Sequence, residues 1–130
     1  MTQTFLETNA KNPDVATTAS GLQYCVLKKG KGKSPRSTDT VVVHYEGRLT
    51  DGTVFDSSYK RGKPAKFKVN GVIKGWSEAL IMMKKGSQWE LFIPPELGYG
   101  VKGVPGVIPP NAVLVFKVEL IKPKASIFGF

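Results

Sequence analysis

Apolar and polar residues alternate along several short runs of this 130-residue chain. In "TVVVHYEGRLTDGTVF", Val41, Val43 and Tyr45 share one face, Val42, His44 and Glu46 take the other, and the run then meets Asp51-Gly52. A period of two marks a strand with one buried face and Asp-Gly suits a tight turn, so this stretch predicts a hairpin. "LQYCVLKKG" reads as an earlier strand closed by the loop "GKGKSPRSTD", and "AKFKV" as a short strand with Phe67 and Val69 on one side. After Gly71 the period changes. In "VIKGWSEALIMMKKG", Trp76, Leu80 and Met83 stand at i, i+4 and i+7, one face of a short helix, with Lys84 and Lys85 as its last turn and Gly86 as its C-terminal glycine. Two more strands, "QWELFIP" and "VLVFKVELI", complete an α+β fold: a twisted antiparallel β-sheet wrapped over one short α-helix.

Between those last strands runs "ELGYGVKGVPGVIPPNA", residues 96–112. Its glycines and prolines exclude a helix or a central strand. Yet Leu97, Tyr99, Val101, Val104, Val107 and Ile108 should avoid water, so the loop is expected to fold back onto something apolar. Residues 1–20 are polar, with a turn signal at "NPD", and read as a leader carrying a short helical turn at "TFLETNA"; the domain proper is expected over 21–130.

A composition of 41% hydrophobic and 22% charged residues suits one globular domain that buries a core without disulfides or metals. The longest run without a charge, 103–116, holds three prolines and is too short to span a bilayer, so no membrane insertion is expected. The start "MTQTFLETNAKNPD" lacks the apolar stretch of a secretory signal. A chain translated from Met1 is therefore expected in the cytoplasm.

One cysteine, Cys25, and one histidine, His44, leave no metal-ligand set, and no cofactor is implied. "HYE" lacks the P-C-x-x-C of zinc deaminases, and "GKS" at 32–34 lacks the first glycine of a P-loop. Asp51 is explained by its turn, and Asp56 has no second acid beside it. The net charge of +9 is spread over many lysines, with a local cluster at Lys28, Lys29, Lys31, Lys33 and Arg36 and only three arginines in all; a solvated basic surface is expected rather than nucleic-acid binding. What remains is a set of aromatic and branched residues suited to a concave apolar pocket.

"VVVHYEGRLTDGTVFDSSYKRGKPAKFKV", "GVIKGW" and "ELGYGVKGVPGVIPPNAVLVFKVELI" resemble, in order and spacing over roughly residues 21–122, the FKBP-type peptidyl-prolyl cis-trans isomerases. The leader is similar to the segment that joins a long dimerising helix to the isomerase domain in bacterial macrophage-infectivity-potentiator-like FKBPs. The resemblance implies an enzyme that rotates Xaa-Pro bonds without covalent chemistry and assists protein folding. It implies Trp76 as the pocket floor, with Tyr45, Phe55, Val72, Ile73, Tyr99, Val107, Ile108 and Phe116 as walls. Asp56, near Tyr45 and Arg61, and the Tyr99 hydroxyl would supply polar contacts, with the Ile73 N–H as a further donor. Asp56, Tyr99, Trp76 and Phe116 are the residues expected to carry catalysis.

The implied partners are proline-containing proteins or peptides and rapamycin-type macrolide inhibitors, and the implied state without the dimerising helix is a monomer. A fragment of a longer relative would come from the periplasm or cell surface. Ala65, Gly71 and Val104 depart from the eukaryotic prototype, which has an aromatic ring, an acid and a histidine there, and these departures bear on sequence preference and macrolide affinity. Two rival functions are a proline-binding chaperone module without fast catalysis and, from the charge alone, a nucleic-acid-binding domain.

Overall fold

The computed structural model describes residues 2–124; the last residues of the expected domain, 125–130, lie outside them. Seven strands form one antiparallel sheet: β1 (Val15–Thr17), β2 (Gln23–Lys28), β3 (Thr40–Leu49), β4 (Val54–Ser57), β5 (Ala65–Lys68), β6 (Gln88–Ile93) and β7 (Leu114–Lys122). Their order is β1-β2-β6-β7-β3-β4, with β5 also on β3. The ten residues of β3 explain that branching. Its first half pairs with β5, its second half with β4, and its other edge with β7.

Alternation along β3 survives folding: Val41, Val43 and Tyr45 are buried, while Val42, His44 and Glu46 are half-exposed. The Asp51 carboxylate accepts the Thr53 N–H and Gly52 takes φ +93°, the left-handed conformation the hairpin turn requires. Helix α3 (Lys74–Met82) lies against the buried face of the sheet and packs Trp76, Ala79 and Leu80 into the core with Leu91, Leu114 and Leu120. A Cβ on Gly75 would come within 2.8 Å of Ile93, so helix and sheet approach as closely as they do because that position has no side chain.

The structure departs from the sequence reading in four places. The leader holds a full helix, α1 (Thr2–Ala10), and its Val15–Thr17 adds an edge strand to β2. Asn9 and the Leu6 carbonyl both hydrogen-bond the Gln23 side chain, at 2.8 and 3.0 Å. A one-turn helix, α2 (Ser58–Arg61), follows β4, with the Ser57 hydroxyl accepting the Lys60 N–H. Helix α3 ends before the two lysines: Met83 turns extended, and Lys84 and Lys85 lie in the next turn, where the Lys85 carbonyl accepts the Lys31 N–H. Gly86, at φ +86°, is therefore a turn residue donating to the Leu120 carbonyl rather than the helix cap.

The long loop has structure of its own. It starts in a 3-10 turn at Pro95–Leu97 and closes a small bridge between Val104 and Ile108. Ile108 reaches the core, with Leu97 and Val104 packed against it, but Tyr99, Val101 and Val107 stay exposed. The expectation that the whole loop shelters from water holds only for the first three. The backbone pairing across Val104 and Ile108 fixes the loop without needing every side chain inside.

Candidate active site

Three aromatic residues from different strands meet on Trp76. Tyr45 (5.2 Å between ring centroids), Phe67 (5.5 Å) and Phe116 (5.3 Å) all stand nearly perpendicular to the indole, at 82–88°. Edge-to-face packing turns positive ring edges toward negative ring faces and fixes each ring's orientation. Phe55 stands perpendicular to Phe116 at 5.5 Å, and both cover Gly47, where a Cβ would fall 2.5 Å from one ring and 2.8 Å from the other. These rings bound an open cavity of about 460 Å³, lined also by Asp56, Gly71, Val72, Ile73 and Tyr99.

One polar cluster stands at its edge. The Tyr45 hydroxyl donates to Asp56 Oδ2 at 2.5 Å, and Arg61 donates to Asp56 Oδ1 at 2.6 Å and to the Tyr45 oxygen at 2.9 Å. The short helix α2 makes this reach possible by carrying Arg61 back over the end of β4. Burial pushes the Asp56 carboxyl up, but the Tyr45 hydroxyl and the Arg61 guanidinium outweigh it and hold the group below its ordinary value. Burial, then donation to that carboxylate, raises the Tyr45 hydroxyl. The cluster thus presents a carboxylate and a neutral phenol at neutral pH, with no group poised to exchange a proton.

The N-terminus of α3 opens beside the cluster. No side chain caps it; Ile73 is its first flanking residue, and the Ile73 carbonyl accepts from Trp76 and Ser77. Backbone N–H groups of that first turn are left for solvent or a ligand carbonyl.

Of the sequence-predicted site residues, Tyr45, Phe55, Asp56, Val72, Ile73, Trp76, Tyr99 and Phe116 line the cavity, and Arg61 reaches it through Asp56. Val107 and Ile108 do not line it: Ile108 is buried in the core cluster and Val107 points to water. Phe67 and Gly71 line it without having been expected. Phe67 was placed on the right face of its strand by alternation, but its contact with Trp76 depends on β5 pairing with β3, which a local pattern does not encode.

No group of three or more metal-ligating side chains exists among the described residues. His44 hydrogen-bonds Ser58 and stacks on Tyr59 on the outer face of the sheet, and burial together with Asp14 and Glu90 raises the Cys25 thiol. Neither is placed as a nucleophile.

The family model of FKBP-type peptidyl-prolyl cis-trans isomerases matches residues 31–121, most of the chain. The chain belongs to the FKBP family. A second model, for the domain amino-terminal to such isomerases, matches residues 1–26. This FKBP chain is 59% identical over 120 residues to the peptidyl-prolyl cis-trans isomerase Mip of Coxiella burnetii, covering 92% of this chain and 52% of that protein. It is 58% identical over 118 residues to the FKBP-type 22 kDa isomerase of Escherichia coli, covering 91% of this chain and 57% of the relative. The chain thus spans about half the length of these curated relatives. The crystal structure of FkpA from Escherichia coli superposes with a TM-score of 0.88 at 52% identity, over 92% of this chain and 56% of that one. The α+β architecture expected from the sequence is the FKBP architecture.

Proposed function

We propose that this FKBP chain accelerates cis-trans rotation of Xaa-Pro bonds in protein and peptide substrates, with the Trp76-floored cavity as its active site. The observation that carries the reading is the perpendicular aromatic box beside a fixed phenol–carboxylate–guanidinium cluster, in a chain whose family is defined by isomerases.

The physics needs no nucleophile. Amide resonance sets a barrier of about 18–20 kcal/mol to rotation, and in the twisted transition state the carbonyl and nitrogen lose conjugation and the group becomes less polar. A proline ring seated on Trp76 leaves water, and the dry aromatic walls favour the twisted amide over the planar one. In this proposal the Ile73 N–H donates to the substrate's backbone carbonyl, while Asp56 and the Tyr99 hydroxyl hold the peptide in a turn. A ten-thousandfold acceleration requires about 5.5 kcal/mol, within reach of desolvation, orientation and one or two hydrogen bonds. In the same proposal Asp56, Tyr99, Trp76 and Phe116 carry turnover, and Val107 and Ile108 contribute by shaping the loop.

Residues 21–130 form the catalytic unit of this proposal and 1–20 its leader; a separate amino-terminal family model, matching residues 1–26, supports a distinct leader. A rapamycin-type macrolide, apolar and carbonyl-rich, is proposed to compete for the same box. No helix among the described residues is long and apolar enough to cross a membrane. A relative carries the name "Outer membrane protein MIP", and we propose a periplasmic or cell-surface setting if the chain belongs to a longer protein of that kind. The unit is proposed to be a monomer, which light scattering checks.

The test is the exchange rate of a short Xaa-Pro peptide measured by NMR with catalytic amounts of the protein, then with the macrolide added. Acceleration abolished by the macrolide is the expected result. A folded sample that leaves the rate unchanged sinks the proposal and favours a proline-binding module.

A further inference from the structure

Beyond the C-terminal end of α3, away from the cavity at its N-terminal end, three segments bring their cations to one end of the sheet. The first is the end of β2 and the following loop, with Lys28, Lys29, Lys31, Lys33 and Arg36 all exposed. The second is the Lys84–Lys85 turn, tied to that loop by the Lys31 N–H on the Lys85 carbonyl at 2.9 Å and the Lys85 N–H on the Lys33 carbonyl at 3.3 Å. The third is the end of β7, where Lys124 shares a depression with Lys33 and Arg36. Across these stretches, 28–39, 84–87 and 122–124, the only carboxylate is Asp39, which is buried and occupied by the Arg36 backbone N–H and guanidinium.

This end is not purely polar. Val26 (41% exposed), Leu27 (49%), Ile81 (47%) and Met82 (36%) stand in water beside the lysines. Val26 and Met82 share a shallow depression of about 240 Å³ with Trp89, and Lys29 and Lys84 line it too. The bulge in β2 between Val26 and Lys28 leaves Leu27 without a partner on β6. Exposed aliphatic side chains beside ammonium groups, in stretches whose one carboxylate is buried and with Glu78 one turn back along α3 engaged by Ser20, suit a partner that is anionic over an area and apolar just beneath.

We propose that this end of the molecule docks peripherally on an anionic lipid surface, the lysines lying at the headgroups and Val26, Leu27, Ile81 and Met82 entering the boundary below them. Lysine is a strongly hydrated point charge suited to a diffuse anionic layer, whereas base readout in nucleic acid favours the planar fork of arginine, of which only Arg36 is present here. The depression shares no lining residue with the catalytic cavity, so docking leaves Trp76 open to substrate. The proposal does not depend on the chain's catalytic activity.

The experiment is co-sedimentation of the protein with vesicles of phosphatidylcholine alone and with vesicles of equal parts phosphatidylcholine and phosphatidylglycerol, at low and at physiological ionic strength. Binding is expected only to the mixed vesicles and is expected to weaken with salt. Each lysine near such a surface raises the partition about fivefold, so Lys29→Glu/Lys84→Glu/Lys85→Glu should lower it more than about a hundredfold while near-ultraviolet circular dichroism stays native. Ile81→Ser/Met82→Ser, which keeps every charge, should lower it several-fold at physiological salt. No vesicle binding at low salt, or binding unmoved by the charge reversal, overturns the proposal. Tighter binding to a duplex DNA oligonucleotide than to the mixed vesicles at the same salt also overturns it, and assigns the surface to nucleic acid.

Discussion

Replacing Gly47 by alanine adds one methyl group at the most crowded point behind the candidate site. Gly47 lies on β3, two residues beyond Tyr45 on the same face, and the new Cβ would sit 2.5 Å from Phe116 Cε1 and 2.8 Å from Phe55 Cζ. Carbon atoms rest at about 3.5–4.0 Å, so each ring must retreat by roughly 1 Å. Phe116 is already braced by Trp76 and Tyr45, whereas Phe55 is half-exposed and yields outward. Overpacking of this kind costs about 1–3 kcal/mol. At roughly 4 °C per kcal/mol for a domain of this size, the thermal midpoint should fall by about 4–12 °C. Since both displaced rings line the cavity, kcat/KM for an Xaa-Pro peptide should fall about tenfold, the equivalent of about 1.4 kcal/mol. Thermal melts and NMR exchange measure the two arms on one sample. The double variant Gly47→Ala/Phe55→Leu should lose less than the sum of its parts, because the smaller side chain makes room. A Gly47→Ala protein with unchanged midpoint and unchanged kcat/KM would refute the packing described for both rings.

Trp76 and Phe116 are core residues as well as cavity walls, at 3% and 4% exposure, so Trp76→Ala should cost about 3–5 kcal/mol of stability together with its activity; the milder Trp76→Leu should stay folded and lose more than tenfold in kcat/KM, read by melting and NMR exchange. Asp56→Asn should lower kcat/KM more than it lowers the melting midpoint, because the Asp56 side chain is 40% exposed and its ion pair is screened by solvent. The folded Asp56 carboxyl lies below its unfolded value of about 3.9, so its stabilisation is complete above that pH and is lost as pH falls through the lower folded value; melts of wild type and Asp56→Asn should therefore differ at pH 6 and converge in acid. Tyr45→Phe removes the larger of the two side-chain hydrogen bonds that hold that carboxyl down, and a carboxyl-carbon NMR titration should find Asp56 moved upward toward the ordinary range.

Much of the frame was legible because strands with one buried face write themselves as alternation. The alternation along β3 gave its buried face, and Asp51-Gly52 gave its turn. Most of the cavity was legible only through the family resemblance, since Trp76 by itself is indistinguishable from any core residue of an amphipathic helix. The three residues of β1 are too few to establish a period, and their pairing with β2 is a tertiary choice. The end of α3 misled because Lys84, Lys85 and Gly86 look like a helix terminus. The buried Met83 already turns extended there, and the lysine backbone serves the loop at 30–33 instead. Phe67 and Gly71 entered the cavity through strand pairing, while Val107 left it because the Val104–Ile108 bridge holds the loop by its backbone.

The sheet places its last strand in its middle: β7 lies between β6 and β3, and β6 with β2 shares no other strand with the β3, β4 and β5 group. During synthesis from the N-terminus, the ribosome has therefore delivered two separate half-sheets, each with an unfilled edge, until residue 122 leaves the exit tunnel. Tyr45 belongs to one half, Leu91 to the other, and Phe116 to the strand that joins them. A working pocket is consequently a late event, and a nascent copy held short of β7 is itself an incomplete chain with apolar faces and open edges, in need of the help that folding assistants give.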